Sequence, residues 1–265
     1  MNLTLILSLL LILISVILVF KFVKNVLRAL VIIFLFVLVF SAGLGFYVYS
    51  DFVELKNNFI DSDKKIFLSS PDDLVAGFIM ADNIQFFNSN EIAALNNYYR
   101  DNDFDSLRGN AYKVFLIDYE YFSELDYTIN LGDSLGNDRD IILNKTEILQ
   151  LLNSKDPFNQ LVSNHDITNS DKFADIIKEQ LQGKLVNATP ETMNSINIKD
   201  SGTLKSLLFA YTLSQSIFEN KNPFYFFVLY RDGKIKIYPE TIVFKVIKFL
   251  PSSMFDKIVT KAAEI

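Results

Sequence analysis

Apolar residues are arranged in two unlike ways along this chain. Over residues 3–20 and 29–50 they form unbroken runs, eighteen and twenty-two residues without a charge. Beyond about residue 60 they recur instead at spacings of two, or of three and four, among polar residues. A membrane-spanning helix needs ~20 apolar residues, so both runs are long enough, the first at the lower limit. Between them lies KFVKNVLR (21–28), whose Lys21, Lys24 and Arg28 are the only charges from Asn2 to Ser50. A single helix over 3–49 would be ~70 Å long, more than twice the ~30 Å hydrocarbon core. Its three central cations would cost ~2.5–3.5 kcal/mol each. The pattern therefore predicts a transmembrane helical hairpin over 1–50, with helices at about 3–20 and 29–49. Its turn falls at 21–28, with Asn25 as the local breaker. A cleaved leader would want a basic stretch before the first run, and Met1-Asn2 offers none.

Short cation-rich loops stay cytoplasmic, so Lys21, Lys24 and Arg28 are the topology-determining residues. They place the rest of the chain on the extracytoplasmic face. Phe46, Tyr47 and Tyr49 suit an interfacial aromatic belt. Ser41 and Gly45 form a small-xxx-small pair that lets helices pack closely. We read that pair as packing within the hairpin; the alternative is a homo-oligomer formed through the second helix. Phe52, Leu55 and Phe59 then continue a helical stripe, which predicts a juxtamembrane stalk over 51–60.

Residues 61–265 read as one acidic α+β domain. KKIFLSS (64–70) and LVAGFIM (74–80) flank a Pro71–Asp73 turn and predict a hairpin. IQFF (84–87) predicts a further short strand. NEIAALNNYYR (90–100) predicts a helix capped by Asn90. AYKVFLIDYEYF (111–122) reads as a strand throughout, and DYTINLG (126–132) as another, with LGDSLGNDRD (131–140) a turn between strands. Helices follow from Asn144 or Thr146, and over DKFADIIKEQLQG, closed by Gly183. SGTLKSLLFAYTLSQSIFEN (201–220) is apolar nearly all round and predicts the central core helix. Lys205, its serines and Glu219 argue against a third span. Asp232-Gly233 marks a turn, between a Phe-rich run read as strand, with a helix as the alternative, and a half-buried strand at 234–238. ETIVFKVIKFL predicts a helix whose stripe of Ile242, Val243, Val246, Ile247 and Leu250 packs into the core, with Lys245 and Lys248 solvated. The alternative is an amphipathic helix in a membrane interface. Met254, Phe255, Ile258 and Val259 continue a similar stripe.

Charge sharpens the division. Residues 1–50 sum to +3 and residues 241–265 to +2, which leaves −11 for residues 51–240 in a chain of net charge −6. An acidic body is repelled by phosphate backbones, which argues against nucleic acid as a partner. There is no cysteine, hence no disulfide and no thiol nucleophile.

Candidate chemistry is sparse. His165 is the sole histidine, and in its polar loop we expect it to be solvated rather than part of a nucleophilic triad. With no cysteine beside it, a zinc site of the usual kind is not expected. Asp101, Asp103 and Asp105 have the spacing that opens a calcium-binding EF-hand loop. Ser106 and Tyr112, however, stand where that loop needs its Gly and its bidentate Glu, so the stretch reads as a polar loop ending a helix. No phosphate-cradling glycine loop is present, and no cofactor is expected. These patterns single out no catalytic residue. The expectation is a membrane-anchored protein that presents its acidic α+β domain to a protein partner, as a binding or scaffold component of a membrane complex. The alternatives are a membrane-anchored hydrolase using carboxylates and an accessory subunit of a channel or transporter.

Overall fold

The computed structural model describes residues 62–131, 140–182, 184–185, 188–218, 225–249 and 251, with Lys21, 32–36, 38–39, 43, 46 and 50 of the N-terminal part. The chain divides into two compact units, Met1–Val53 and Glu54–Ile265. Within the first, residues 32–36 are helical and exposed. Among the described residues no helix is long and apolar enough to cross a membrane. The expected helix 3–20, most of 29–49, Lys24, Arg28, Ser41, Gly45 and the stalk 51–60 lie outside the described residues. Lys21, described, is helical and exposed.

The second unit is a mixed α+β fold. Its main sheet has five strands in the order β3-β2-β1-β4-β7. These are β1 (Lys64–Ser69), β2 (Leu74–Met80), β3 (Gln85–Phe86), β4 (Lys113–Asp118) and β7 (Ile235–Tyr238). The β1–β2 hairpin forms as the turn residues imply, antiparallel with Ile66 opposite Phe78. The β1–β4 pair is parallel, with Ile66 opposite Phe115 and Phe67 opposite Leu116. A parallel pair needs a crossover, and the crossover here includes α1 (Ser89–Arg100) and α2 (Phe104–Arg108). The edge strand β7 runs antiparallel to β4.

Both faces of the sheet are covered, and this explains why β1 and β4 read as nearly continuous apolar runs rather than as alternation. Phe67, Val114 and Leu116 point to one face, where they cluster with Phe87, Ile92 and Leu107. Ile66, Leu68, Phe115 and Ile117, also buried, alternate with them and so take the other face. The predicted core helix, α8 (Ser201–Leu213), packs on β2. Eleven of its thirteen residues are buried. Phe209 meets Phe78 and Phe122 at centroid distances of 5.7 and 5.5 Å. Ser206 lies at the contact: Gly77 N donates to its Oγ (3.1 Å), which donates to Phe87 O (3.0 Å). A Cβ at Gly77 would come within 2.3 Å of Phe67 Cδ1, so the close approach there needs glycine. The helix continues as a π-helical turn, Ser214–Phe218.

A second sheet pairs β5 (Thr128–Asn130) with β6 (Ile142–Asn144), antiparallel. The remaining helices are α3 (Tyr119–Glu124), α4 (Lys145–Asn153), α5 (Pro157–Asn164), α6 (Ser170–Gln182), α7 (Pro190–Ser195), α9 (Tyr225–Arg231) and α10 (Ile242–Phe249).

Four readings of the sequence need correction. The cap of α1 is Asn88, not Asn90: its side chain accepts from Asn90 N and Glu91 N, while Glu91 returns a bond to Asn88 N, a complete capping box. The strand expected through residue 122 stops at Asp118, which caps α3 by accepting from Glu120 N. The Phe-rich run before Asp232-Gly233 is the helix α9, not a strand; Gly233 takes a positive φ of 73° in the turn that follows. The expected core stripe of α10 is not the face it buries. Phe244 is buried, whereas Ile242 is 44% exposed and Val246 and Ile247 only half-buried. The side chain of Val243, and Leu250 and the stripe from Met254 to Val259, lie outside the described residues.

Candidate functional site

The sequence of events from α9 to α10 builds an open hollow. α9 ends at Arg231, the Asp232-Gly233 turn reverses the chain, and β7 returns along the sheet edge. Strand alternation buries Ile235 and Ile237 and leaves Lys236 exposed between them. After Pro239 and Glu240 the chain enters α10, which carries Lys245 and Lys248 one turn apart. Tyr230, Arg231, Lys236, Glu240, Lys245 and Lys248 line the resulting cavity of about 670 Å3.

Glu240 is its organising acid. It accepts a hydrogen bond from Tyr230 Oη and another from Lys248 Nζ at 2.7 Å. The Lys248 bond, seconded by Tyr230, holds the Glu240 carboxyl below the usual carboxylate range. The same contact raises the Lys248 ammonium. Burial, reinforced by Glu240, pushes the Tyr230 phenol up, so it stays protonated and donates. Lys248 Nζ also sits 4.5 Å from the Tyr230 ring centroid. Beneath this layer Tyr230 meets Phe244 edge-on at 5.0 Å. The buried Lys113 donates to Pro239 O at 2.9 Å and lies 5.3 Å from the Phe244 ring centroid. Arg231 Nε is 3.8 Å from Asp232, the neighbouring acid. Four cations therefore line a hollow that has one carboxylate of its own, in a body that is otherwise strongly acidic. That arrangement attracts anions.

The helix beside the hollow has an unusual outer face. At 100° per residue, Ile242, Val246 and Phe249 fall within about 60° of one another, opposite the buried Phe244. Ile242 is 44% exposed and Phe249 87%. Lys245 borders this stripe. A partly exposed apolar face edged by cations is what the sequence reading kept only as its alternative, and on a different stripe. The period was visible, but which of two apolar faces turns inward was not.

The other residues of interest lie elsewhere. His165 follows α5 as its C-cap, and it is not solvated as expected. Its Nε2 is 2.8 Å from Glu147 Oε1 on α4, which also accepts from Asn164 Nδ2 at 3.3 Å. Both side chains are largely covered, 22% and 14% exposed. This pair joins α4 to α5; among the described residues no serine or threonine hydroxyl is hydrogen-bonded to His165, so no nucleophile is held there. Asp101 is the C-cap of α1, Asp103 caps α2 through Ser106 N, and Asp105 pairs with Arg108. Asp101 thus serves the helix end through its backbone N–H, and the carboxylates of Asp103 and Asp105 serve a cap and an ion pair. Among the described residues no group of three or more acids and histidines converges as a metal site would require. No family model, no curated protein and no solved structure matches this chain.

Proposed function

We propose that this chain is a membrane-anchored protein whose first fifty residues form a two-helix hairpin, and whose acidic α+β domain serves at the extracytoplasmic face as a binding or scaffold component of a membrane complex. The observation that carries the reading is the run Ile32–Phe36. These five residues are helical and between 54% and 74% exposed. Five consecutive helical residues sweep more than a full turn, so apolar surface faces outward on every side. Such a surface needs lipid or protein around it. The charge-free runs on either side of KFVKNVLR make lipid the better surroundings.

Binding, rather than chemistry on a small substrate, is supported by the character of the α9–β7–α10 region. Its hollow is open, Lys248 is held there by Glu240 and the Tyr230 ring, and a partly exposed apolar stripe adjoins it. Those are the components of a docking surface. The test is topological. The chain should resist extraction from membranes by alkaline carbonate. External protease on intact cells should remove the part beyond about residue 60, while a tag in the 21–28 turn stays protected. Reversing Lys21, Lys24 and Arg28 to glutamate should weaken the orientation. A domain that is cut only after the membrane is breached overturns the extracytoplasmic placement.

A further inference from the structure

We infer that the outer face of α10, with the cations of the adjoining hollow, docks on the surface of an anionic phospholipid bilayer. This deepens, and rests on, the membrane-anchored reading. Ile242 and Phe249, 44% and 87% exposed, lie with the half-buried Val246 on the side of α10 opposite the buried Phe244. Lys245 borders the stripe on the helix, and Arg231, Lys236 and Lys248 lie round the adjoining hollow. An amphipathic helix whose apolar side chains enter the acyl boundary while lysines meet headgroup phosphates is bound by both effects together.

Charge selects this occupant over the others. Residues 51–240 carry a net charge of −11, and a body so acidic is repelled by an anionic surface unless it presents its cationic edge. A second copy of the chain would set two such bodies against each other. The chain after α10 adds Lys257 and Lys261 against Asp256 and Glu264, so it brings further cations to this end of the sequence. Phe244, Tyr230 and Lys113 hold the opposite face of α10 to the domain, so docking needs no unfolding. An N-terminal anchor would keep this weak surface at high effective concentration against the bilayer.

The chain has no tryptophan, so one placed on α10 reports alone. The full chain with Phe249→Trp is reconstituted in vesicles of phosphatidylcholine, or of phosphatidylcholine with about one third phosphatidylglycerol. Docking predicts a blue-shifted emission, quenched by lipids brominated on their acyl chains, in the anionic vesicles only. In zwitterionic vesicles the emission should be that of an indole in water, open to acrylamide. Adding Lys245→Gln should weaken the anionic response about fivefold, the loss of one lysine at the surface. Ile242→Ser should remove most of it while the domain keeps a single cooperative thermal transition, because nearly half of that residue lies at solvent. Water-like emission in both vesicles overturns the proposal. So does emission shielded from acrylamide in both but untouched by brominated lipid, which would mean that protein covers the stripe. Quenching by brominated lipid in both removes the role of charge and equally overturns it. Carbonate extraction of the same vesicles reads the anchor separately. A chain that extracts, yet shows the anionic response, refutes the hairpin and leaves α10 as the membrane contact.

Discussion

Gly202 offers a prediction in which local preference and tertiary packing have opposite signs. It is the second residue of α8. In an isolated helix, Gly→Ala is favourable by up to ~1 kcal/mol. In the fold, a Cβ at this position would lie 2.3 Å from Ser89 N, 2.5 Å from Asn88 C and 2.7 Å from Ser89 Cα, whereas ordinary contact begins at 3.4 Å. All three atoms are backbone at the start of α1, so no side chain can rotate away. Relief requires the helix ends to part by roughly 1 Å. That movement also strains the bonds joining them, from Gly202 N to Ser89 Oγ (2.8 Å) and from Ser89 N to Asp200 Oδ1 (2.9 Å). Overpacking costs ~1–3 kcal/mol and each of the two disrupted bonds ~1 kcal/mol, against the gain of ~1 kcal/mol. Gly202→Ala should therefore destabilise the domain by ~2–4 kcal/mol, a fall of roughly 5–15 °C in melting temperature for a unit of this size. Near-UV circular dichroism of the full chain in lipid nanodiscs measures it. Asn97→Ala, on the exposed side of α1, serves as a control expected within ~0.5 kcal/mol of the parent. A Gly202→Ala melting temperature equal to or above the parent's would mean that α8 is not seated on α1 as described.

The capping box separates two neighbouring asparagines: Asn88→Ala should cost ~1 kcal/mol and Asn90→Ala under ~0.5 kcal/mol, read from urea midpoints. The Glu240–Lys248 pair should leave a pH signature. Glu240 is depressed in the fold, so its contribution is present above the ordinary glutamate value of 4.5 and is lost as pH falls through the lower folded value. Lys248 is raised, so its share is present below 10.5 and disappears only in stronger alkali. With Lys248 46% exposed, the pair is worth less than ~1 kcal/mol. Lys248→Met should thus lower stability slightly at pH 7 and by progressively less as acid protonates Glu240; a gap that stays constant through the acid titration of the folded protein would rule the pair out as the cause.

What could be read from the sequence was whatever is decided within a few residues. The β1–β2 hairpin followed from two β-rich runs and a Pro-Asp turn. The start of α4 was legible to within two residues, at Asn144 or Thr146, and the cap is Asn144, whose side chain accepts from Glu147 N. The central helix was legible because a segment apolar on all sides can only be interior or in lipid, and its serines and lysine excluded lipid. The turn at Asp232-Gly233 was equally local.

Tertiary structure decided the rest. The parallel pairing of β1 with β4 joins residues nearly fifty apart, and nothing in either run names its partner. Residues 225–231 became a helix although their aromatic residues favour strands, since β propensity is largely a matter of which surface the side chains meet. The contact of His165 with Glu147 required α4 and α5 to be placed side by side. The gathering of Arg231, Lys236, Lys245 and Lys248 around Glu240 depended on a helix, a strand and a second helix meeting at one sheet edge. α10 makes the distinction plainest. Its residues are apolar over two faces, so periodicity alone established an amphipathic helix but not which face turns inward. Phe244 was chosen because Tyr230 and Lys113 already form a surface that an aromatic ring fits, and Ile242 and Phe249 were left at solvent as a result.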